Sequence, residues 1–176
     1  MSLFVIRHTQ TDWNIEHKAQ GKVNTKLNKT GILQAKELAK DLRNYNIDLI
    51  ISSPLDRAKQ TAEIVNEGRN IPIICDERII ERDFGEFEGN KPQVYIEKGF
   101  WDYERNVKYK KAESIKPFFN RIYNFLDDME EKKKNKNILI VTHGAASIAI
   151  EVYYKGIPED NNLVKLALKH GQIKEY

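Results

Sequence analysis

Short apolar runs alternate with stretches of helical periodicity along most of the chain. Between the apolar runs, side chains recur with helical spacing from Gly31, from Ser53 to about Asn66, from Ser114 and after Gly144. Strands that alternate with helices indicate an α/β fold, and we expect three layers, α/β/α, around a mostly parallel sheet with right-handed crossovers. The apolar runs that predict the strands are Leu3–Ile6, Asp48–Ser53, Pro72–Cys75, Ile138–Val141 and Leu163–Leu168.

Three segments show neither a helical nor an alternating period. Asp12–Thr30 is long for a loop, which favours a functional role, and Asn28 or Thr30 could cap the helix that follows it. Residues 79–89 combine acids with glycines and predict a structured loop. Residues 90–112 are rich in aromatic and basic side chains with poor apolar spacing, so they suit a lid or a short helical excursion better than core. We predict a single domain over residues 1–176 that includes this lid.

Composition narrows the class of protein. A chain of 176 residues that is 40% hydrophobic and 31% charged suits one globular domain. Its net charge of +3 is too small to indicate nucleic-acid binding. No run approaches the ~18 apolar residues of a membrane span, and the chain begins directly in a strand, so we expect no membrane association and a cytoplasmic location. The single cysteine, Cys75, allows no internal disulfide and is expected to pack as a small hydrophobe.

Basic residues follow three of the predicted strands. Arg7 and His8 end the first strand, Arg57 lies one helical turn after the second, and His143 follows the fourth. Parallel strands direct their carboxyl ends to one edge of the sheet, where ligands bind. Two arginines can bind phosphoryl oxygens bidentately, and a helix starting near Gly144 would add backbone donors. Each residue alone is more often structural, but their coincidence at one edge predicts a phosphate pocket.

The residues that could act on a phosphoryl group are few. The sequence has no glycine-rich loop ending in Gly-Lys-Ser or Gly-Lys-Thr, no carboxylate cluster for magnesium, and no cysteine in a phosphate-cradling loop. A histidine is therefore the candidate nucleophile, and a carboxylic acid from the 79–89 loop could protonate the leaving oxygen. On spacing alone, Glu81, Asp83, Glu86 and Glu88 compete for that role.

Several blocks of the sequence resemble the histidine phosphatase superfamily, in its phosphoglycerate mutase-like branch. Residues 7–14, Arg-His-Thr-Gln-Thr-Asp-Trp-Asn, are similar to its Arg-His-Gly-Glu-Thr-x-x-Asn signature, and Ser-Pro-Leu-Asp-Arg-Ala-Lys-Gln-Thr-Ala at 53–62 is similar to its second arginine block. Glu81 with Gly85, Glu88 and Gly89, and Val-Thr-His-Gly at 141–144, resemble its proton-donor and second-histidine blocks. Two departures, a threonine at 9 and a glutamine at 10, concern the geometry of the loop rather than the reaction.

The resemblance implies a division of chemical roles. His8 would be the nucleophile that becomes phosphorylated, and Arg7, Arg57 and His143 would hold the phosphoryl oxygens. Glu81 would act as the acid for the leaving group and then as the base for water. The same resemblance implies substrate contacts from Asn14, Gln20 and the Gly144 amide, and a phosphoglycerate mutase-like fold. Because the sequence lacks a carboxylate cluster for magnesium, we expect no metal ion or other cofactor.

The function that follows is a phosphatase, a phosphomonoester hydrolase acting through phosphohistidine on a small phosphorylated metabolite. A phosphoglycerate mutase is the alternative within the fold, disfavoured because residues 90–112 and the short segment after the last strand offer little material to exclude water. A non-catalytic phospho-ligand or protein-binding module is a second alternative, although the expected site residues are all present. Nucleic-acid binding by the aromatic and basic stretch 95–111 is the weakest, and the pattern makes no prediction of oligomeric state.

Overall fold

A five-stranded sheet forms the centre of the computed structural model, which describes residues 1–176. The strands are β1 (Leu3–Arg7), β2 (Leu49–Ser52), β3 (Ile73–Cys75), β4 (Ile138–Thr142) and β5 (Ile173–Glu175). Their order is β3-β2-β4-β1-β5, and all neighbours are parallel except β5, which runs antiparallel to β1. The helices are α1 (Asp12–Ile15), α2 (Lys29–Asp41), α3 (Asp56–Val65), α4 (Gln93–Ile96), α5 (Ile115–Lys132) and α6 (Gly144–Lys155).

Both faces of the sheet are covered by helices. Because side chains alternate along a strand, Leu3 and Val5 of β1 pack in one cluster with α5 and α6, whereas Phe4 and Ile6 pack in another with α2 and α3. The neighbouring β4 alternates in the same way. This arrangement confirms the predicted three-layer α/β/α fold with a mostly parallel sheet. None of its helices combines the length and the apolar character needed to cross a membrane.

The predicted strand at Leu163–Leu168 is wrong. Residues Leu163–Leu166 form a turn of 3₁₀ helix, and Leu163 and Leu168 are buried in the core cluster that also contains residues of α5 and α6. A short apolar run has the same sequence pattern whether it forms a strand or a helical turn, so the pattern alone could not distinguish the two. In the structure, the helical turn lets both leucines pack into the core. The fifth strand comes later, where Ile173–Glu175 pairs with Phe4 to Ile6 of β1.

Residues 90–112 contain buried side chains as well as surface. Tyr95 and Phe100 join Phe84 and Phe87 in a separate aromatic cluster, so this part of the stretch has a core of its own despite its irregular spacing. A buried arginine, Arg82, donates hydrogen bonds to the carbonyls of Phe100, at 2.6 Å, and Glu113, at 2.9 Å. Its guanidinium also lies 3.6 Å from the centre of the Phe100 ring. The single-domain assignment and the function of this stretch as a lid stay predictions.

Cys75 is exposed, contrary to the prediction that it packs as a small hydrophobe. It ends β3, the edge strand, whose three residues are only partly covered. An apolar run at a sheet edge has a free side, which the sequence pattern does not reveal.

Candidate active site

His8 follows β1 directly and is 2% exposed. Its Nδ1 lies 2.7 Å from the Thr9 carbonyl oxygen, which can only accept, so Nδ1 carries the proton and Nε2 keeps its lone pair. Burial, and then the positive charges of Arg57 and Arg7, lower the pKa of His8 well below its usual 6.5. The imidazole is therefore neutral at pH 7, the state that a nucleophile needs.

Two arginines, the partly buried Arg7 and the fully buried Arg57, lie beside His8, and each has a free nitrogen. Arg7 donates from Nη1 to the Leu168 carbonyl at 3.0 Å, while Arg57 donates to the carbonyls of Val23, at 2.8 Å, and Gly21, at 2.7 Å. These bonds fix both guanidinium groups, yet the Nε atoms of both arginines are buried without any partner. Burial lowers the pKa of Arg57 only to about 10, so it stays cationic at neutral pH.

His143 completes this group at the end of β4. Its Nε2 lies 2.7 Å from the Ser53 hydroxyl, and its Nδ1 is buried without a partner. A hydroxyl that donates to Nε2 leaves Nδ1 protonated as a donor. The His143 ring centre is 5.2 Å from that of His8, and burial followed by the charge of Arg57 lowers its pKa well below 6.5.

The unpartnered atoms identify what the site can bind. Arg7 Nε, Arg57 Nε and His143 Nδ1 are the only buried side-chain nitrogens or oxygens of the protein without a hydrogen bond. Buried polar groups are almost always paired, so three orphans around one histidine indicate a ligand rich in acceptor oxygens. A phosphoryl group supplies three such oxygens and negative charge to match the two guanidinium groups.

Glu81 accepts hydrogen bonds from three backbone amides. Its Oε2 lies 3.1 Å from the Ala145 nitrogen, and its Oε1 lies 3.1 Å from the Ala146 nitrogen and 3.0 Å from that of Arg82. Two amides of the first turn of α6 are thus bound to Glu81, whereas the sequence suggested that this helix start would serve the phosphate. The Gly144 amide remains available as a donor to a phosphoryl oxygen, because the first N–H of a helix has no acceptor within the helix.

The other acids of the 79–89 loop are bound elsewhere. Glu86 accepts from the Lys111 and Ala112 amides, Glu88 accepts from the Lys22 amide at 2.7 Å, and Asp83 accepts from the Gly85 amide at 2.8 Å. Of the four acids that spacing left open, Glu81 alone lines the pocket beside His8.

Asn14 and Gln20 line the same pocket, whose volume is about 210 Å³. The Asn14 side-chain oxygen accepts from the amide and hydroxyl of Thr11, both at 2.9 Å, in a capping box at the start of α1. The Gln20 oxygen accepts from the Thr25 hydroxyl. With both oxygens engaged, each side chain has its NH₂ group available as a donor to a ligand.

Close contacts explain two glycines, one against a side chain and one against the backbone. A Cβ on Gly144 would lie 3.1 Å from Arg7 Cζ, because the guanidinium rests against this glycine. A Cβ on Gly31 would lie 2.0 Å from the Gln10 carbonyl oxygen. The unusual Thr9 fits the same junction, since its hydroxyl donates to the Gly31 carbonyl at 2.8 Å.

Sequence reasoning missed His170, which it assigned only to a turn. His170 Nδ1 donates to the His8 carbonyl at 2.9 Å, and the two rings lie 5.5 Å apart. Burial, followed by the charge of Arg7, lowers its pKa to about 4. The antiparallel return of β5 along β1 brings His170 there, and no local pattern signals that pairing.

Tyr95 is a second residue whose position the sequence did not predict. Its ring packs against Phe84, 5.1 Å away, and Phe100, 5.2 Å away, and it lines the pocket. Its hydroxyl makes no hydrogen bond within the protein. Burial, followed by the charge of Glu81, raises the pKa of Tyr95 to about 12, so the hydroxyl stays protonated and uncharged.

The donor set suits an anion rather than a metal ion. No group of three or more histidine, cysteine, aspartate or glutamate side chains lies close enough together to hold a metal. The side chains around His8 are instead two guanidinium groups, two further imidazoles and one carboxyl.

Comparisons with known proteins show which family and which solved structures this chain resembles. The family model of the histidine phosphatase superfamily (branch 1) matches residues 3–173. An uncharacterized phosphatase, PhoE of Bacillus subtilis (strain 168), is 38% identical over 83% of this chain and 73% of its own. Phosphoserine phosphatase 1 of Hydrogenobacter thermophilus is 32% identical, over 81% of this chain and 71% of its own. The crystal structure of the alpha-ribazole phosphatase from Shigella flexneri superposes with a TM-score of 0.86 at 25% identity, over 99% of this chain and 89% of the other. Phosphoglycerate mutases are also among the matches.

Proposed function

Because the chain belongs to the histidine phosphatase superfamily, we propose that it hydrolyses a small phosphomonoester through a phosphohistidine formed on His8, without a metal ion or other cofactor. The observation that carries the proposal is the set of three buried, unpartnered nitrogens on Arg7, Arg57 and His143 around a neutral His8.

In the first step the phosphoryl group passes from the substrate to the protein. The lone pair of His8 Nε2 forms the N–P bond while the P–O ester bond breaks on the opposite side. The leaving oxygen takes a proton from the carboxyl group of Glu81. Throughout, the Nδ1–H of His8 stays bonded to the Thr9 carbonyl, so the ring does not rotate as its charge changes.

In the second step water releases the phosphate. Glu81, now a carboxylate, takes a proton from the water molecule while the water oxygen attacks phosphorus. The P–N bond breaks and its electron pair returns to His8 Nε2. Arg7, Arg57 and the Nδ1–H of His143 stabilise the phosphoryl oxygens in both steps, which is the work that a magnesium ion performs in other phosphoryl-transfer enzymes.

Hydrolysis fits this chain better than a mutase reaction. A mutase must keep its phosphohistidine away from water until an acceptor returns, which requires a sealed site. Relatives named as phosphatases match at 38% and 32% identity, compared with 28% and 30% for two of the mutases. The cytoplasmic location, the absence of nucleic-acid partners and the role of residues 90–112 as a lid stay predictions.

Trapping the intermediate tests the proposal directly. The purified protein is mixed with p-nitrophenyl phosphate in excess chelator, quenched in alkali and analysed by mass spectrometry. We expect phosphate on His8 and steady release of inorganic phosphate, with both lost in His8→Ala. A phosphorylated Cys75 or serine would refute the nucleophile, and activity that disappears with chelator and returns with magnesium would refute metal independence.

A further inference from the structure

The outer wall of the active-site pocket is apolar. Beyond the groups that surround His8, the lining consists mainly of Phe84, Ile96, Trp101, Ile148, Val164 and Ala167. These side chains come from four separate parts of the chain, so the apolar character does not follow from one hydrophobic segment. The leaving group of a bound phosphomonoester must occupy this part of the pocket, because the phosphoryl group occupies the basic end.

Beyond the two arginines, the lining offers one cation, and that cation is already paired. Arg7 and Arg57 are committed to the phosphoryl group and to backbone carbonyls. The remaining cation of the lining is Lys18, which is already paired with Glu16 at 2.5 Å. A carboxylate on the leaving group would lose water in this apolar part of the pocket without gaining an unpaired cation as a partner.

The apolar wall continues into a neighbouring cavity of about 520 Å³, which shares Ile96 and Trp101 with the catalytic pocket. The charged residues of this cavity are Asp102, Glu104 and Arg105, and Arg105 is 3.8 Å from Asp102. With two acids and one paired base, this space does not attract an anion either. It can accept the far end of a bulky, uncharged leaving group.

Apolar side chains are also left uncovered at the entrance. Ile96 and Val164 are 48% and 44% exposed, and both line the pocket. Exposed large apolar side chains grouped around a concave site are typical of ligand-binding surfaces. Tyr95 adds one polar group, the uncharged hydroxyl with no partner in the protein.

We propose that this site is selective for monoesters whose leaving group is apolar or aromatic and uncharged, and that it discriminates against leaving groups that carry a carboxylate. The inference rests on the proposed phosphatase function and specifies its substrate class. It differs from what the name of one relative, a phosphoserine phosphatase, states of that protein's substrate.

Three alkyl phosphates with similar leaving alcohols test the selectivity without a change in leaving-group chemistry. They are 2-phenylethyl phosphate, sn-glycerol 3-phosphate and 3-phosphoglycerate, which differ in apolar area and in charge. We expect kcat/KM for 2-phenylethyl phosphate to exceed that for 3-phosphoglycerate by about 10- to 100-fold, the range given by burying one aromatic side chain. Glycerol 3-phosphate should lie between them.

A single added cation provides a variant that should shift the selectivity. In Val164→Lys an ammonium group reaches the pocket from a position that is 44% exposed, so we expect the substitution to leave the fold unchanged. We expect the ratio of kcat/KM for 3-phosphoglycerate to that for 2-phenylethyl phosphate to rise by about 2- to 5-fold, as for a partly exposed ion pair. The matched control is Ile74→Lys, which adds the same charge at an exposed position of β3 outside the pocket and should leave the ratio unchanged.

The outcomes separate this inference from the proposed function. Equal or faster turnover of 3-phosphoglycerate by the unmodified protein would overturn the substrate class while leaving the phosphatase intact. A shift of the same size in Ile74→Lys would refute the pocket as the origin of the selectivity. Failure to hydrolyse any phosphomonoester or to form phosphohistidine would instead refute the proposed function, and the substrate class would fall with it.

Discussion

Replacing Glu81 by glutamine should separate proton donation from substrate binding. The substitution keeps the shape of the side chain and removes the acidic proton. An alkoxide leaving group needs that proton, so phosphorylation by an alkyl phosphate should slow by roughly 10²- to 10⁴-fold, equivalent to about 3 to 5 kcal/mol of barrier. The p-nitrophenolate ion leaves without help, so the same step with p-nitrophenyl phosphate should slow much less.

The structure also predicts a cost in stability for this variant. Glu81 accepts three backbone N–H bonds, whereas glutamine has one carbonyl oxygen. If that oxygen serves the Ala146 and Arg82 amides, the NH₂ group faces the N–H of Ala145. One buried donor left unpaired corresponds to about 1 to 3 kcal/mol of unfolding free energy.

Rapid-quench measurement of phosphohistidine formation gives the rate of the first step for both substrates, and urea unfolding gives the stability. Glu86→Gln is the matched control, because Glu86 also accepts two backbone amides but lies outside the pocket. Phosphohistidine should accumulate in Glu81→Gln if Glu81 also activates water. Equal slowing with both substrates would refute Glu81 as the proton donor and leave it a structural role only.

Three further predictions concern the contact between Gly144 and Arg7, stability at acid pH and the fate of the phosphoenzyme. Gly144→Ala puts a methyl group 3.1 Å from Arg7 Cζ, so the guanidinium must move. We expect kcat/KM to fall roughly 10-fold for all phosphomonoesters, with little change in melting temperature, and unchanged kinetics would contradict the importance of this contact. Because His8, His143 and His170 have lowered pKa values in the fold, the unfolded chain binds more protons, and stability that is complete above pH 6.5 should be lost as the pH falls below it. His170, whose pKa falls from 6.5 to about 4, contributes up to about 3 kcal/mol of this loss. In phosphate-free urea unfolding, the unfolding free energy of His170→Gln should therefore depend less steeply on pH. An unfolding free energy that stays constant between pH 7 and 5 in the unmodified protein would refute the argument. Incubation with 3-phosphoglycerate and a trace of 2,3-bisphosphoglycerate should yield little 2-phosphoglycerate, and isomerisation faster than phosphate release would favour a mutase.

The parts of the fold that sequence patterns predicted are those with strong local signals. Leu3–Ile6 and Ile138–Val141 are continuous branched apolar runs, because the strands are covered on both faces, and runs this short favour a strand over a buried helix. The rule that parallel strands present their carboxyl ends together then placed His8 and His143 near one another, and their rings lie 5.2 Å apart.

The parts that the sequence could not predict depend on contacts between distant residues. Phe100 is fully buried in the aromatic cluster, where the guanidinium of Arg82 lies over its ring, and no spacing within residues 90–112 shows an arginine outside that stretch. His170 reaches the His8 carbonyl only because β5 pairs with β1. Both features were settled by tertiary packing rather than by local propensity.

The position of β1 in the sheet has a consequence for how this protein is made. Its partners are β4 and β5, so the strand that positions His8 cannot pair until the ribosome has added Ile138–Thr142 and then Ile173–Glu175. At a synthesis rate of about 5 to 20 residues per second, the apolar strand stays unpaired in the nascent chain for on the order of 10 s. During that time its unpaired edge is open to chaperones or to wrong partners, which makes synthesis a vulnerable stage in the life of the protein.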